Sequence, residues 1–245
     1  MILDSQSLIL AVAFFVAAIL YSTVGHAGAS GYLAAMAMLG VPAATMRPTA
    51  LVLNLLVASI AVFRFARVGL FSWSLLWPFA LGSIPLAFIG GGITLPGHWY
   101  RTLIGLILWA TAVRLWLPLQ PRADSRRPSR LVSVASGAGI GMLSGLTGTG
   151  GGIFLSPLLI FMGWADTRET AGVSAAFILV NSAAGLAGNP ASLAHLPGQL
   201  PLWAGAAVIG GLIGSDLGSR RIGAPVFRRV LGLVLVVAGF KLIFS

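Results

Sequence analysis

The sequence predicts an all-α polytopic membrane protein made of two inverted five-segment repeats, each a glycine-tipped hairpin followed by three transmembrane helices. Three observations carry this expectation. Of 245 residues, 58% are hydrophobic and only 8% charged, whereas soluble domains carry about a quarter charged residues; the mean hydropathy is +0.98. Uncharged apolar runs long enough to cross a hydrocarbon core of about 30 Å recur along the chain, among them 7–24, 73–93 and 170–187. The chain also repeats itself at an offset of about 122 to 128 residues.

The repeat is legible in three places. HWYRTLIGLIL (98–108) lies over PVFRRVLGLVL (225–235), ALGSIPLAFIGG (80–91) over VIGGLIGSDLGS (208–219), and STVGHAGASGYL (22–33) over SGLTGTGGGIFL (144–155). Each half then reads as a long apolar helix (7–24; 131–146), a short apolar piece after a glycine-rich break (31–41; 152–163), and three full spans. The spans are 44–63, 73–93 and 98–117 in the first half, and 170–187, 200–217 and 226–244 in the second. The N-terminal repeat is thus 1–117, the C-terminal repeat 131–245, and the Pro- and Arg-rich stretch 118–130 a cytoplasmic linker. The first run is read as a retained helix rather than a signal peptide, because the leader MILDSQS contains an Asp and no Lys or Arg.

The net charge of +10 arises from 15 Lys and Arg against 5 acidic residues. Such a balance suits nucleic acid, anionic lipid or simple orientation in the bilayer; because most of these residues flank apolar segments, orientation is the expected role and no nucleic-acid partner is expected. The same charges fix the parity. With the linker in the cytoplasm and the first two pieces of each half forming a hairpin, Arg64, Arg67, Arg114, Arg122, Arg126, Arg127, Arg130, Arg168, Arg220, Arg221, Arg228 and Arg229 are inside, and only Arg47, Arg101 and Lys241 outside. A single broken crossing instead reduces the split from 12:3 to 8:7. The hairpin therefore follows, with the halves inverted and both termini outside. The hairpin tips are Gly25 to Gly31, entering from outside, and Thr147 to Gly152, entering from inside, and they are expected to meet near the midplane.

Backbone that is not helical survives at membrane depth only against protein or a water-filled cavity. In the tip Thr147-Gly148-Thr149-Gly150-Gly151-Gly152, bare amides, a helix beginning near Ile153 and two hydroxyls together attract an anion. Close packing is the competing role of glycine, and is expected for Gly137, Gly141 and Gly145 and for Gly210, Gly214 and Gly218 at their four-residue spacing. It does not call for consecutive glycines outside a helix. The first tip contributes Gly25, His26, Gly28 and Ser30, where His26 either touches substrate or a proton, or bonds a neighbouring carbonyl. Thr49 and Asn54, and Ser174, Asn181 and Ser182, follow on the third segments as substrate contacts or interhelical glue, with Ser174 and Asn181 on one helical face. Arg47 and Arg168, one at each mouth, steer an anion or anchor the helix flank.

Other chemistries lack their residues. There is no cysteine; His26, His98 and His195 have no metal-ligand spacing, and the last two are expected in surface loops. No third glycine of a dinucleotide fingerprint and no P-loop lysine follows Gly148, so no cofactor is expected. An intramembrane enzyme would need an acid pair, an HExxH or a Ser/His pair, and none is visible. Asp4, Asp124, Asp166 and Glu169 fall in ends or loops, and Asp216 stands four residues from Arg220, a spacing that suits an ion pair. Without a buried midplane carboxylate, an anionic cargo is favoured over a cation or neutral metabolite, and proton coupling through His26 is left without support from a buried acid.

GMLSGLTGTGGGIFLSPLLIFMG followed by TRETAGVSAAFILVNSAAGL, with the weaker copy YSTVGHAGASGYLAAMAMLG followed by MRPTALVLNLL, resembles the TauE/SafE family of bacterial membrane permeases over nearly the whole chain. In the first copy Gly28-Ala29-Ser30 replaces the family's glycine run and His26 intrudes. The resemblance implies transport of sulfur-containing anions, such as sulfite or organosulfonates, usually as export across the cytoplasmic membrane. The expected partners are a small anionic substrate and the lipid bilayer.

Overall fold

The computed structural model describes residues 4–116, 127–219 and 225–244. They form α1 (Ser5–Ser22), α2 (Ala29–Met38), α3 (Ala43–Arg67), α4 (Trp73–Gly92), α5 (Gly97–Trp116), α6 (Arg130–Thr147), α7 (Gly152–Phe161), α8 (Thr167–Ala187), a 3₁₀ helix (Pro190–His195), α9 (Leu200–Ser219) and α10 (Pro225–Phe244). Among the described residues there is no strand. Most of the expected linker, 118–130, lies outside them. The short pieces α2 and α7 have ten residues each and rise about 15 Å, half the thickness of a hydrocarbon core. His98, expected in a loop, sits exposed in the first turn of α5, and His195 is exposed at the end of the 3₁₀ helix.

Local chemistry explains several helix starts. Asp4 caps α1 by accepting from the Ser7 N–H at 2.9 Å, and Ser129 caps α6. Asp166 accepts from the N–H groups of both Arg168 and Glu169 at 2.8 Å, with Glu169 three residues on, the pattern of a capping box. These starts fall close to the apolar runs, so the helices appear where hydropathy places them.

Packing joins the halves. α1 packs on α9 and α6 on α4, α5 packs on α10, and α3 on α8. Exchanging the halves leaves this pairing unchanged. The close approaches use the glycines at four-residue spacing: a Cβ on Gly137, Gly141 or Gly145 of α6 would overlap the Phe79, Ser83 or Ala87 carbonyl of α4. A Cβ on Gly210 or Gly214 of α9 would overlap the Phe15 or Ile19 carbonyl of α1, and one on Gly218 the carbonyl of Thr23, which ends that helix. Helices thus meet backbone to backbone, the means of association available where surrounding lipid is as apolar as any side chain.

The outer surface is apolar. Val12 is 63% exposed, Phe63 59% and Leu131 80%; in water such a surface would aggregate, in lipid it is solvated. α1, α3, α4, α8 and α9 are each long and apolar enough to cross a membrane. α8 is the most enclosed of them, with 72% of its apolar window buried, because α3, α4, α6 and α7 all pack on it. Ion pairs stay at the ends of the spans. Arg220, the expected partner of Asp216, lies outside the described residues; across the halves Asp216 accepts from Arg64 at 2.6 Å, joining α9 to α3, and Glu169 accepts from Arg127 at 2.8 Å.

Candidate functional site

The two hairpin tips meet. In the first, α1 closes through hydrogen bonds from the Val24 and His26 N–H groups to the Tyr21 carbonyl at 3.1 and 3.0 Å, and α2 then starts on Gly28. In the second, Gly148 caps α6 with its N–H on the Ser144 carbonyl at 2.8 Å, and α7 starts on Gly151. Gly28 (φ 106°), Gly150 (φ 76°) and Gly151 (φ 79°) are left-handed, a conformation open to glycine at little cost. Neither Gly28 nor Gly151 supplies a side-chain cap. Two helix N-termini therefore reach this region with bare amides, each carrying the positive end of its dipole.

Between them lies a small space lined by His26, Gly28 and Ser30 of the first tip and by Thr149, Ile153 and Ile178 of the second half. Its volume is about 10 Å³, room for at most about one water. In this arrangement of the tips the space does not admit a polyatomic anion. A larger recess, about 660 Å³, lies between α4 and α8 but is walled by Ile84, Phe88, Ile89 and Val180. No polar side chain lines it, so it offers nothing to hold an anion.

His26 carries the contact between tips. Its Nδ1 lies 3.1 Å from the Val24 carbonyl of its own tip, and its Nε2 lies 3.0 Å from the Gly152 carbonyl and 3.2 Å from Ser156 Oγ in the other half. Ser156 Oγ is in turn 2.7 Å from Ser174 Oγ, so Ser174 of α8 belongs to this chain. Sequence reasoning missed Ser156. The available signal was its place one helical turn after Gly152, which puts it on the face of α7 that continues the tip.

The remaining expected residues surround the second tip. Thr147 Oγ1 donates to the Leu143 carbonyl at 2.7 Å, so in its 3.0 Å contact with Thr149 Oγ1 the proton comes from Thr149. Both hydroxyl protons are engaged in this arrangement. Tyr100, which sequence reasoning also missed, donates to the Thr147 carbonyl at 3.1 Å. Asn54 Nδ2 donates to Ser182 Oγ at 3.4 Å, and a Cβ on Gly150 would fall 2.9 Å from that nitrogen and 3.1 Å from that oxygen. Asn181 donates instead to the Phe177 carbonyl of its own helix at 2.8 Å. The oxygens Asn54 Oδ1, Asn181 Oδ1 and Thr49 Oγ1 are buried without a partner, groups that a bound molecule or a shift of the tips would have to satisfy. Gly25 is pressed against the Ala171 backbone of α8, and Gly148 lies close to the Arg47 backbone of α3. Each tip thus abuts the opening turns of the other half's third helix.

In this conformation the two arginines engage the ends of helices, as the anchoring alternative expects. Arg47 donates to the carbonyls of Ile93 at 2.9 Å, Gly90 at 3.3 Å and Gly91, closing the C-terminal end of α4. Arg168 reaches the Ser219 carbonyl at the end of α9 at 3.5 Å, the matching place in the other half. A cation at a helix C-terminus satisfies orphan carbonyls and complements the dipole. Arg47→Met is expected to lower unfolding stability by about 2 kcal/mol, the worth of charge-assisted hydrogen bonds, with anion affinity unchanged. Melting and ligand titration of the purified variant check this; weakened binding at an unchanged melting temperature would favour the steering role instead.

The chain matches the family described as "Sulfite exporter TauE/SafE" over residues 9–242. It is 40% identical over 251 residues to "Probable membrane transporter protein y4hK" of Sinorhizobium fredii (strain NBRC 101917 / NGR234), an alignment covering 98% of this chain and 100% of that relative. No solved structure matches it significantly. These names indicate a membrane transporter rather than an enzyme. With its apolar spanning helices and a match that runs nearly end to end, the chain is a multi-pass membrane protein and belongs to the TauE/SafE family.

Proposed function

We propose that this protein is a secondary transporter that exports a small sulfur-containing oxyanion, such as sulfite or an organosulfonate, across the bacterial cytoplasmic membrane by alternating access between its two halves. The observation that carries this reading is the meeting of two helix N-termini without side-chain caps, at Gly28 and Gly151, over one small space. Bare amides and dipole ends favour negative charge, and inverted half-helices of this kind place substrates at the midplane in other secondary transporters. The family's description adds sulfur and the outward direction. The charge split of the sequence orients the repeats in opposite senses, with both termini outside. Thr147, Thr149, Ser30, Asn54, Ser174, Asn181 and Ser182 would complete the cage once the tips part. A second reading, a cation or neutral cargo, rests on the unpartnered oxygens of Asn54 and Asn181.

One panel separates the two. Sulfite and methanesulfonate are expected to raise the melting temperature of the purified protein, whereas metal cations leave it unchanged, because only a molecule that binds the folded state stabilises by mass action. In liposomes loaded with sulfite the protein should accelerate efflux over protein-free vesicles. Stabilisation by cations alone, or efflux no faster than from empty vesicles, would overturn the proposal.

A further inference from the structure

We propose that the two hairpins, α1 with α2 and α6 with α7, slide together by one helical turn along the glycine seams they form with α9 and α4. The structure holds them at the end of that travel nearest Arg47. The slide deepens the transport reading by naming the motion behind alternating access, and rests on that reading only for the cargo.

The halves differ in register. A Cβ on Gly82 or Gly90 of α4 would overlap the Val134 or Met142 carbonyl of α6. The sequence repeat lays Gly82 and Gly90 over Gly210 and Gly218, and Ser22 over Ser144, so the same packing in the other seam would set Gly210 against Val12 and Gly218 against Leu20. The structure sets them against Phe15 and Thr23, three residues further on at both points. Aligning the halves on their left-handed tip glycines, Gly25 with Gly148 and Gly28 with Gly151, makes the difference four. About one turn of helix, roughly 5 Å, therefore separates the two seams.

Both differences have one sense in space. α6 runs beside α4 toward the end where Arg47 binds, and α1 runs beside α9 toward the end where Asp216 meets Arg64. These are opposite ends of the molecule, since Arg47 lies in the first turns of α3 and Arg64 in its last. α6 is set forward on α4 and α1 is set back on α9, each a displacement toward Arg47. Exchanging the two settings carries both hairpins one turn toward Arg168. The seams accept that step, because Gly137, Gly141 and Gly145 recur every four residues on α6, as do Gly210, Gly214 and Gly218 on α9. After it, Gly141 takes the seat of Gly137 against Phe79, and Gly145 that of Gly141 against Ser83. Backbone meets backbone in either register, and packed helices move past one another in whole turns. Two contacts fasten the present register. Tyr100 of α5 donates to the Thr147 carbonyl of the second tip at 3.1 Å, and Lys241 of α10 to the Met38 carbonyl that ends α2 at 2.8 Å. α5 packs on α10, so one helix pair holds both hairpins.

The test uses the full chain in liposomes. The sequence contains no cysteine, so introduced pairs alone carry spin labels. Gly139→Cys on α6 with Trp73→Cys at the start of α4 reports one seam, and Leu8→Cys on α1 with Ile213→Cys on α9 reports the other. All four positions are exposed. Sliding toward Arg168 shortens the distance in each pair by about 3 to 5 Å, which double electron–electron resonance measures. Tyr100→Phe, and Lys241→Met as a second variant, should raise the population at the shorter distance about fivefold in both pairs, the worth of one hydrogen bond, while melting stays cooperative. A single distance unchanged by either variant, or a change in one pair alone, overturns the joint slide, and sulfite efflux from the same liposomes then leaves the transport reading standing. Both pairs shortening without efflux of any anion overturns the transport reading and leaves the slide.

Discussion

Gly150→Val is expected to reduce anion flux by about 100-fold or more while the protein still inserts and remains folded. Two effects combine at this position. Gly150 has φ 76°, which costs a β-branched residue roughly 1–3 kcal/mol, and its Cβ would sit 2.7 Å from Ile178 Cγ2, 2.9 Å from Asn54 Nδ2 and 3.1 Å from Ser182 Oγ. None of the three is backbone: Asn54 and Ser182 can yield by side-chain rotation and the Ile178 methyl by a small shift of its side chain, so the fold is expected to survive. What they yield into is the space of about 10 Å³ between the tips, which the proposed transport would have to open for an anion. Sulfite efflux from liposomes gives the flux, and size-exclusion with melting gives the folded fraction. Wild-type efflux from the variant would remove the second tip from the transport path.

Gly141→Leu should do the opposite, and at least as severely: loss of the folded protein itself. Here an added Cβ overlaps the backbone carbonyl of Ser83 and lies 2.6 Å from its Cα, and backbone cannot rotate away. α4 and α6 would have to separate along a seam shared by Gly137 and Gly145, with a cost expected above about 3 kcal/mol. The control lies two residues away on the same helix. Gly139 is exposed and a Cβ there meets nothing within 4 Å, so Gly139→Leu should melt within a few degrees of wild type. Equal melting of the two variants would contradict the close α4–α6 approach.

These variants separate two uses of glycine that look alike in the sequence. Gly137, Gly141 and Gly145 recur every four residues inside a helical run, so their packing role was legible from spacing alone. Gly150 and Gly151 are consecutive and break the helical pattern, so a tip was legible as well. The helices, their order and the doubling of the chain followed in the same way from hydropathy and self-similarity. Arg47 and Arg168 were harder. Their matching positions ahead of the third spans were visible, but their engagement with the carbonyl ends of α4 and α9 depends on where another helix stops in space. Asp216 posed the same difficulty, since its Arg64 partner is 152 residues away and helical spacing points only to residues one turn distant.

The sequence by itself determined the membrane class, the helix order and the glycine-rich breaks, because these depend on composition and on periodicities of a few residues. Tertiary structure alone decided that His26 would face Gly152, 126 residues away, and that Ser156 would join it to Ser174. It also decided that the space between the tips would be too small for an anion. Those outcomes are set by how two separately formed hairpins dock, and docking responds to distances of tenths of an ångström between groups that no local pattern places side by side.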